Sequence, residues 1–196
     1  LYNLKAFAYN VPEIRANWDI SVIQHPLINV NRKDIEVPPL IDRIVESKPN
    51  LVGFSCYMWN VNVFNEIATA LRTRIPKTKI IWGGSEMSSD FLVQGKFDKF
   101  EMDFCVSGEG EVTFLEFLKN QTFGVPELSK IPGLAYRNKP SEPFKINPKR
   151  EALEVLHDIP SPFLTGVVDD EVLLRPKIEA NIETQRGCNL RCSYCT

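Results

Sequence analysis

The stretch LVGFSCYMWNVNVFNEIATALRTRIPKTKIIWGGSE (residues 51–86) decides the fold, because it contains a strand, a helix and a second strand in direct succession. Leu51–Ser55 is a short apolar run of the kind that forms a buried strand. Apolar residues then recur every three or four positions over Val61–Arg74, which is typical of an amphipathic helix. Pro76 ends that helix, and a second apolar run, Lys79–Trp82, follows. This order predicts two parallel strands of an α/β sheet.

The same alternation continues on both sides of this unit. Further strands are predicted at Leu4–Tyr9, Ile20–Gln24 and Asp103–Val106. Helices are predicted at Val11–Asn17, at Glu86–Gln94, and in the segments PPLIDRIVESK (residues 38–48) and EVTFLEFLK (residues 111–119). The pattern indicates an α/β, Rossmann-like fold of the flavodoxin type, with an open parallel five-stranded sheet and helices on both faces, within residues 1–125.

The character of the chain changes after about residue 120, since eight of its fourteen prolines fall from Pro126 onward. GLAYRN and PFKIN flank KPSE, which predicts a β-hairpin that extends or caps the sheet. Residues 126–176 are therefore interpreted as this hairpin and a proline-stiffened linker. The alternating segment KIEANIETQRG then predicts a strand that leads to Cys188, and residues 177–196 form a third unit.

Composition narrows the class of partner. The 196 residues carry a net charge of −2, which gives no electrostatic attraction to nucleic acid or to an anionic membrane. No apolar run approaches the roughly 18 residues of a membrane span, and the first residues lack the features of a signal peptide. We therefore expect a cytoplasmic protein with small-molecule or protein partners.

Small residues follow three neighbouring strands of the predicted sheet. Ligands of open parallel sheets bind outside the carboxyl ends of the strands, where loops and helix N-termini meet. The sequence has neither a dinucleotide-binding GxGxxG after its first strand nor a phosphate-binding GxxxxGK[ST]. The predicted cofactor-binding residues at these ends are Ser55, Cys56, Tyr57, Gly83, Gly84, Ser85, Gly108, Glu109 and Gly110.

Three cysteines crowd into the last residues of the chain, at Cys188, Cys192 and Cys195. Thiolates in the pattern CxxxCxxC are suited to an iron–sulfur cluster, and three of them leave one iron of a four-iron cluster open. Structural zinc, with a fourth ligand further along the chain, is an alternative. A low-potential ferredoxin would need a fourth cysteine, and the three-residue first gap disfavours it.

The stretch ETQRGCNLRCSYCT (residues 183–196) resembles the signature of radical S-adenosylmethionine (SAM) enzymes. The segments LVGFSCYMWN, KIIWGGSE and VSGEGEVTF resemble the cobalamin-binding domain that precedes the catalytic barrel in one group of these enzymes. The resemblance implies that the three cysteines hold a 4Fe-4S cluster, that SAM binds its open iron, and that a flavodoxin or ferredoxin supplies electrons. Tyr194 matches a position that contacts the adenine of SAM, although a loop aromatic that packs the cluster is an equal alternative.

The sequence departs from the family in one respect, because the segment YNVPEIRANW lacks the cobalt-binding histidine of the Asp-x-His-x-x-Gly motif. His25 and His157 do not fit that motif. We therefore expect cobalamin to bind base-off with no protein histidine, its lower face against Asn10, Val11 and Pro12. Its displaced base would enter beside the small residues Ser55, Gly83 and Gly84.

These features predict the cobalamin-binding portion of a radical SAM enzyme that transfers a methyl group through methylcobalamin to an unknown small molecule. We expect the chain to be the N-terminal piece of that enzyme and to be catalytically silent alone. One alternative is a radical SAM cyclase or oxidase with accessory cobalamin. Another is a cofactor-free Rossmann-like module that recruits a substrate or a partner chain.

Overall fold

A computed structural model describes residues 1–24, 37–139, 141–153, 155–174 and Arg186. Its helices are α1 (Tyr2–Tyr9), α2 (Pro12–Asn17), α3 (Val37–Glu46), α4 (Val61–Arg74), α5 (Ser89–Val93), α6 (Glu111–Phe123) and α7 (Asp170–Leu173). Its strands are β1 (Leu51–Ser55), β2 (Lys79–Gly83), β3 (Phe104–Val106), β4 (Leu134–Tyr136) and β5 (Lys145–Ile146). Short 3-10 turns occur at Leu128–Lys130 and Leu156–Asp158.

The five strands form one sheet in the order β1-β2-β3-β4-β5. The strands β1, β2 and β3 are parallel, whereas β4 and β5 are antiparallel to their neighbours. The predicted hairpin is confirmed, and it extends the sheet beyond β3. The predicted α/β class is also confirmed, but the sheet is mixed and two of its five strands come from the hairpin.

Two of the predicted strands are wrong. Leu4–Tyr9 lies within α1, whose buried Ala6 and Ala8 pack towards α6. A short apolar run fits a helix and a strand equally well, and here packing decides. Ile20–Gln24 forms no strand, since the backbone N–H of Ile20 donates to the Tyr9 hydroxyl at 2.7 Å.

Helices cover both faces of the sheet. On one face, α3 and α4 pack over a core that contains Phe54, Trp82 and Cys105. On the other face, α1, α2 and α6 surround a second core that contains Ile81, Phe104 and Val106. The predicted helix at Glu86–Gln94 is shorter than expected because Ser88 caps α5 by accepting a hydrogen bond from the Phe91 N–H at 3.2 Å.

Within the described residues, the helices are too short and too polar for any of them to span a bilayer. The remaining elements place the carboxyl ends of β1, β2 and β3 side by side, followed respectively by the segments 56–60, 84–88 and 107–110. These three loops are the place to look for a ligand site.

Candidate functional site

The loop after β1 is held rigid by one buried side chain. Asn60 is 7% exposed; its Oδ1 accepts a hydrogen bond from the Tyr57 N–H at 2.8 Å, and its Nδ2 donates to the Ser55 carbonyl at 3.1 Å. The closed loop displays Tyr57, Met58 and Trp59, which are 37%, 75% and 61% exposed. We call Tyr57 and Trp59 the aromatic pair, because their rings stack in parallel with centroids 4.8 Å apart. Sequence reasoning selected Tyr57 but missed Trp59.

Gly84 joins the loops after β1 and β2. Its φ is +103°, and a Cβ at this position would lie 2.5 Å from the carbonyl oxygen of Cys56 and 2.6 Å from its nitrogen. The Cys56 N–H donates to the Gly83 carbonyl, and the Glu86 N–H donates to the Cys56 carbonyl. The space predicted for ligand entry beside Gly84 is therefore filled by the backbone of Cys56, and Gly84 serves close packing.

A strip of small residues lies beside this junction, with Gly53 exposed and Ser55 and Gly83 half-buried. Gly53 and Ser55 occupy alternate positions of β1, and Gly83 is opposite Ser55 in the register, so all three face the same side of the sheet. Gly53 is exposed, and a Cβ there would make only ordinary contacts, the nearest at 3.5 Å to Ile81. We call these three residues the small-residue strip. The sequence analysis did not select Gly53, although its spacing of two residues from Ser55 places both residues on the same face of a strand.

The loop after β3 carries two acidic residues with different surroundings. Gly108 has a φ of +82° and open space where a Cβ would be. Glu109 accepts a hydrogen bond from the Leu153 N–H at 2.9 Å, which ties the later chain to this loop. Glu111 begins α6 and is buried. Both carboxylates also face Arg186, which sequence reasoning did not select.

Cys56 was a predicted cofactor contact, but its side chain lies fully in the core. Burial is the main reason that the pKa of the Cys56 thiol is raised, and burial raises the pKa of Cys105 to about 12. Both thiols are therefore neutral at physiological pH and are poor metal ligands. What Cys56 offers to the site is its backbone.

Asn10, Val11 and Pro12 are not brought to the strand ends. The start of α1 lies at the carboxyl end of the sheet, where Leu4 is close to Gly110. The chain then runs along α6 to Trp18, whose Nε1 donates to Thr122 in the last turn of that helix at 2.8 Å. Asn10 and Val11 connect α1 to α2 and Pro12 begins α2, because the expected first strand is a helix.

Several of the other residues selected from the sequence lie in the linker or outside the described part of the chain. Cys188, Cys192, Cys195, Tyr194 and His25 fall outside the described residues. His157, the one histidine in the part of the chain that the structure describes, is exposed in the linker beside Asp158. Ser85 is exposed and lies next to Gly84. Ser55, Tyr57, Gly83 and Gly108 thus gather around the three strand ends with the residues that were missed.

Sequence comparisons agree with this geometry. The model of the B12 binding domain matches residues 15–118. TokK, a cobalamin-dependent radical SAM methyltransferase of Streptomyces tokunonensis, is 32% identical over 98% of this chain and 27% of its own length. A 2-(S-pantetheinyl)-carbapenam-3-carboxylate methyltransferase of Streptantibioticus cattleyicolor is 27% identical, with the same two coverages. The chain thus spans about a quarter of the length of these relatives.

Solved structures share the fold. The cobalamin-dependent SAM radical enzyme OxsB, with aqua-cobalamin and SAM bound, superposes with a TM-score of 0.53 at 19% identity, over 69% of this chain and 18% of that one. The radical SAM methyltransferase TsrM of Kitasatospora setae, with cobalamin and a [4Fe-4S] cluster bound, gives 0.51 at 18% identity, over 80% and 27%. With the family model covering more than half of the residues, the chain belongs to the B12-binding domain family.

Proposed function

We propose that this chain is the cobalamin-binding part of a radical SAM enzyme, and that the whole enzyme transfers a methyl group to a small molecule. The observation that carries the proposal is the small-residue strip, with Gly53 exposed, which leads along β1 to the loop of the exposed aromatic pair in a B12-binding domain. The CxxxCxxC motif and the activities for which the two relatives are named support the SAM-dependent part. The enzyme's substrate and its reductant stay predictions.

The residues at the strand ends fit a large, flat and partly apolar cofactor. The small-residue strip offers backbone and small side chains on which the ring of the displaced base can lie. The aromatic pair offers a rigid apolar surface to a macrocycle face. When bound, cobalamin supplies a cobalt ion that carries a methyl group between a donor and an acceptor. The chain's own residues bind and orient it and exclude water from one face.

The prediction of base-off binding without a protein histidine stays part of the proposal, with a different set of contacts. The connection between α1 and α2 is remote from the strand ends, whereas the aromatic pair lies at them. His157, the histidine of the described region, lies in the linker and is highly exposed. We therefore place the aromatic pair, rather than Asn10, Val11 and Pro12, against the cofactor.

The test is the affinity of the full-length protein for hydroxocobalamin, measured by absorbance titration. Gly53→Leu adds a side chain where a Cβ meets no backbone clash, so we expect the fold to persist. The same side chain fills the small-residue strip, and we expect the affinity to fall about a hundredfold. Lys79→Leu is the matched control. Lys79 is an exposed residue at the amino end of β2, away from the loops that follow the strands.

An unchanged affinity of the Gly53→Leu protein would contradict the proposed position of the cofactor. A wild-type full-length protein that retains no cobalamin would overturn the cofactor itself and favour the recruiting module. A full-length protein that binds cobalamin and SAM but forms an unmethylated product would favour the cyclase or oxidase alternative.

A further inference from the structure

An ion-pair cluster at the carboxyl end of β3 joins distant parts of the chain. Arg186 Nη2 donates to Glu111 Oε1 at 2.5 Å, and Arg186 Nη1 lies 3.8 Å from Glu109 Oε2. The Arg186 side chain is 13% exposed, and that of Glu111 is 6% exposed. Ion pairs that are mostly shielded from water are screened much less than surface pairs.

The two carboxylates are suited to holding a guanidinium in one place. Glu111 lies in the first turn of α6, where the helix dipole favours a negative charge. Glu109 is fixed separately, because it accepts the Leu153 N–H. A planar guanidinium can reach both carboxylates at once with a defined orientation, which an ammonium cannot do as well. The cluster therefore fixes the direction as well as the position of Arg186.

Arg186 stands only two residues before Cys188. Consecutive Cα atoms are about 3.8 Å apart, so two steps along the chain span at most about 7.6 Å. We propose that Arg186 is a positioning residue whose pairing with Glu109 and Glu111 anchors the start of the cysteine motif on the carboxyl end of the B12-binding domain. This inference deepens the proposed function and rests on it, because the anchor sets the separation between the cysteine motif and the cobalamin site.

The first test is hydrogen–deuterium exchange of the full-length protein without added cofactors. In Arg186→Met, peptides that cover residues 187–196 should exchange about tenfold faster, while β1 to β3 keep their protection. Arg150→Met is the matched control, since Arg150 is 16% exposed, pairs with Glu116 and donates to Thr113 on the same helix, but is remote in sequence from the cysteines. Arg186→Lys should restore part of the protection. Equal exchange in the Arg186→Met and Arg150→Met proteins would overturn the proposal.

A second pair of variants distinguishes loss of the anchor from a general loss of stability. Glu111→Gln keeps the shape of the side chain and removes its charge, and Glu116→Gln does the same at the neighbouring ion pair. The anchor predicts faster exchange of residues 187–196 in Glu111→Gln alone. The same result in both variants would show a general loss of stability and would contradict the anchor.

The third readout separates positioning from binding. In the reconstituted full-length enzyme, Arg186→Met should keep its iron and its cobalamin but form product at least tenfold more slowly. Loss of the iron or the cobalamin in this variant would contradict a positioning role. Because the exchange experiment uses no cofactor, it still decides the anchor if the wild-type enzyme binds no cobalamin and the proposed function fails.

Discussion

The two ends of the parallel strands differ in the surface that they leave exposed. At the amino end, Arg72 pairs with Glu101 and Asp103 at 3.3 and 2.9 Å, and Asp103 also accepts the Ile80 N–H at 2.8 Å. Towards the carboxyl end, the aromatic pair and Gly53 of the small-residue strip are exposed. Both ends pair their charges, since Arg186 meets Glu109 and Glu111 after β3, but the carboxyl end also keeps the exposed aromatic pair as surface for a ligand.

The largest effect is expected from breaking the amino end. The buried Arg137 donates to the carbonyls of Met102, Asp98 and Phe100, and burial lowers the pKa of its guanidinium. Arg137→Met would remove the guanidinium donor from the Met102 and Asp98 carbonyls, while the Phe100 carbonyl keeps the Met102 N–H, and we expect the free energy of unfolding to fall by about 3–4 kcal/mol. Urea denaturation of the chain measures this change.

Cobalamin affinity should be unchanged in Arg137→Met at temperatures where the protein is folded. If the substitution lowered the affinity without lowering the stability, the division of roles between the two ends would be wrong.

Two neighbouring glycines give the next effect. Gly84→Ala forces an alanine to a φ of +103° and its Cβ against the backbone of Cys56. We expect a loss of about 3 kcal/mol, since both strain and overpacking contribute. Gly83→Ala is the control, because a Cβ there makes its nearest contact at 3.7 Å, and it should cost less than about 1 kcal/mol. Equal melting temperatures for the two variants would refute the close packing at Gly84.

Removing one ring of the aromatic pair should have the smallest effect on stability and a selective effect on cobalamin binding. Trp59→Ala removes a side chain that is 61% exposed, so the free energy of unfolding should change by less than about 0.5 kcal/mol. The cobalamin affinity should fall about tenfold, because a stacked aromatic surface is lost. Phe123→Ala, at the far end of α6 and 51% exposed, should leave the affinity unchanged. Equal affinities of the two variants would remove the aromatic pair from the site.

The central part of the fold was predictable because its periodicities are unambiguous. Val61–Arg74 is long enough to show a helical stripe, and the apolar runs at β1, β2 and β3 are bounded by turn residues. The prediction for the first residues was wrong because Leu4–Tyr9 is too short to distinguish the apolar period of a helix from the alternation of a strand. Three of the five predicted parallel strands are found, and the sheet reaches five strands because the separately predicted hairpin joins it.

The positions of the candidate site residues were predictable where strand order alone decides them. The rule that loops meet at the carboxyl ends of parallel strands correctly brought together Ser55, Tyr57, Gly83 and Gly108. The role of Gly84 in close packing could not be predicted from the sequence, since it depends on the path of the Cys56 backbone. The pairing of Arg186 with Glu111 joins residues 75 positions apart, and no local pattern predicts such a contact.

We propose that the carboxyl end of this sheet binds cobalamin without a protein histidine on cobalt. The most direct test is the electron paramagnetic resonance spectrum of cob(II)alamin after gel filtration with the full-length protein. The proposed histidine-free site predicts a retained cofactor with a base-off spectrum that shows no nitrogen superhyperfine splitting. A retained cofactor with nitrogen splitting on cobalt, or no retained cofactor, would contradict it.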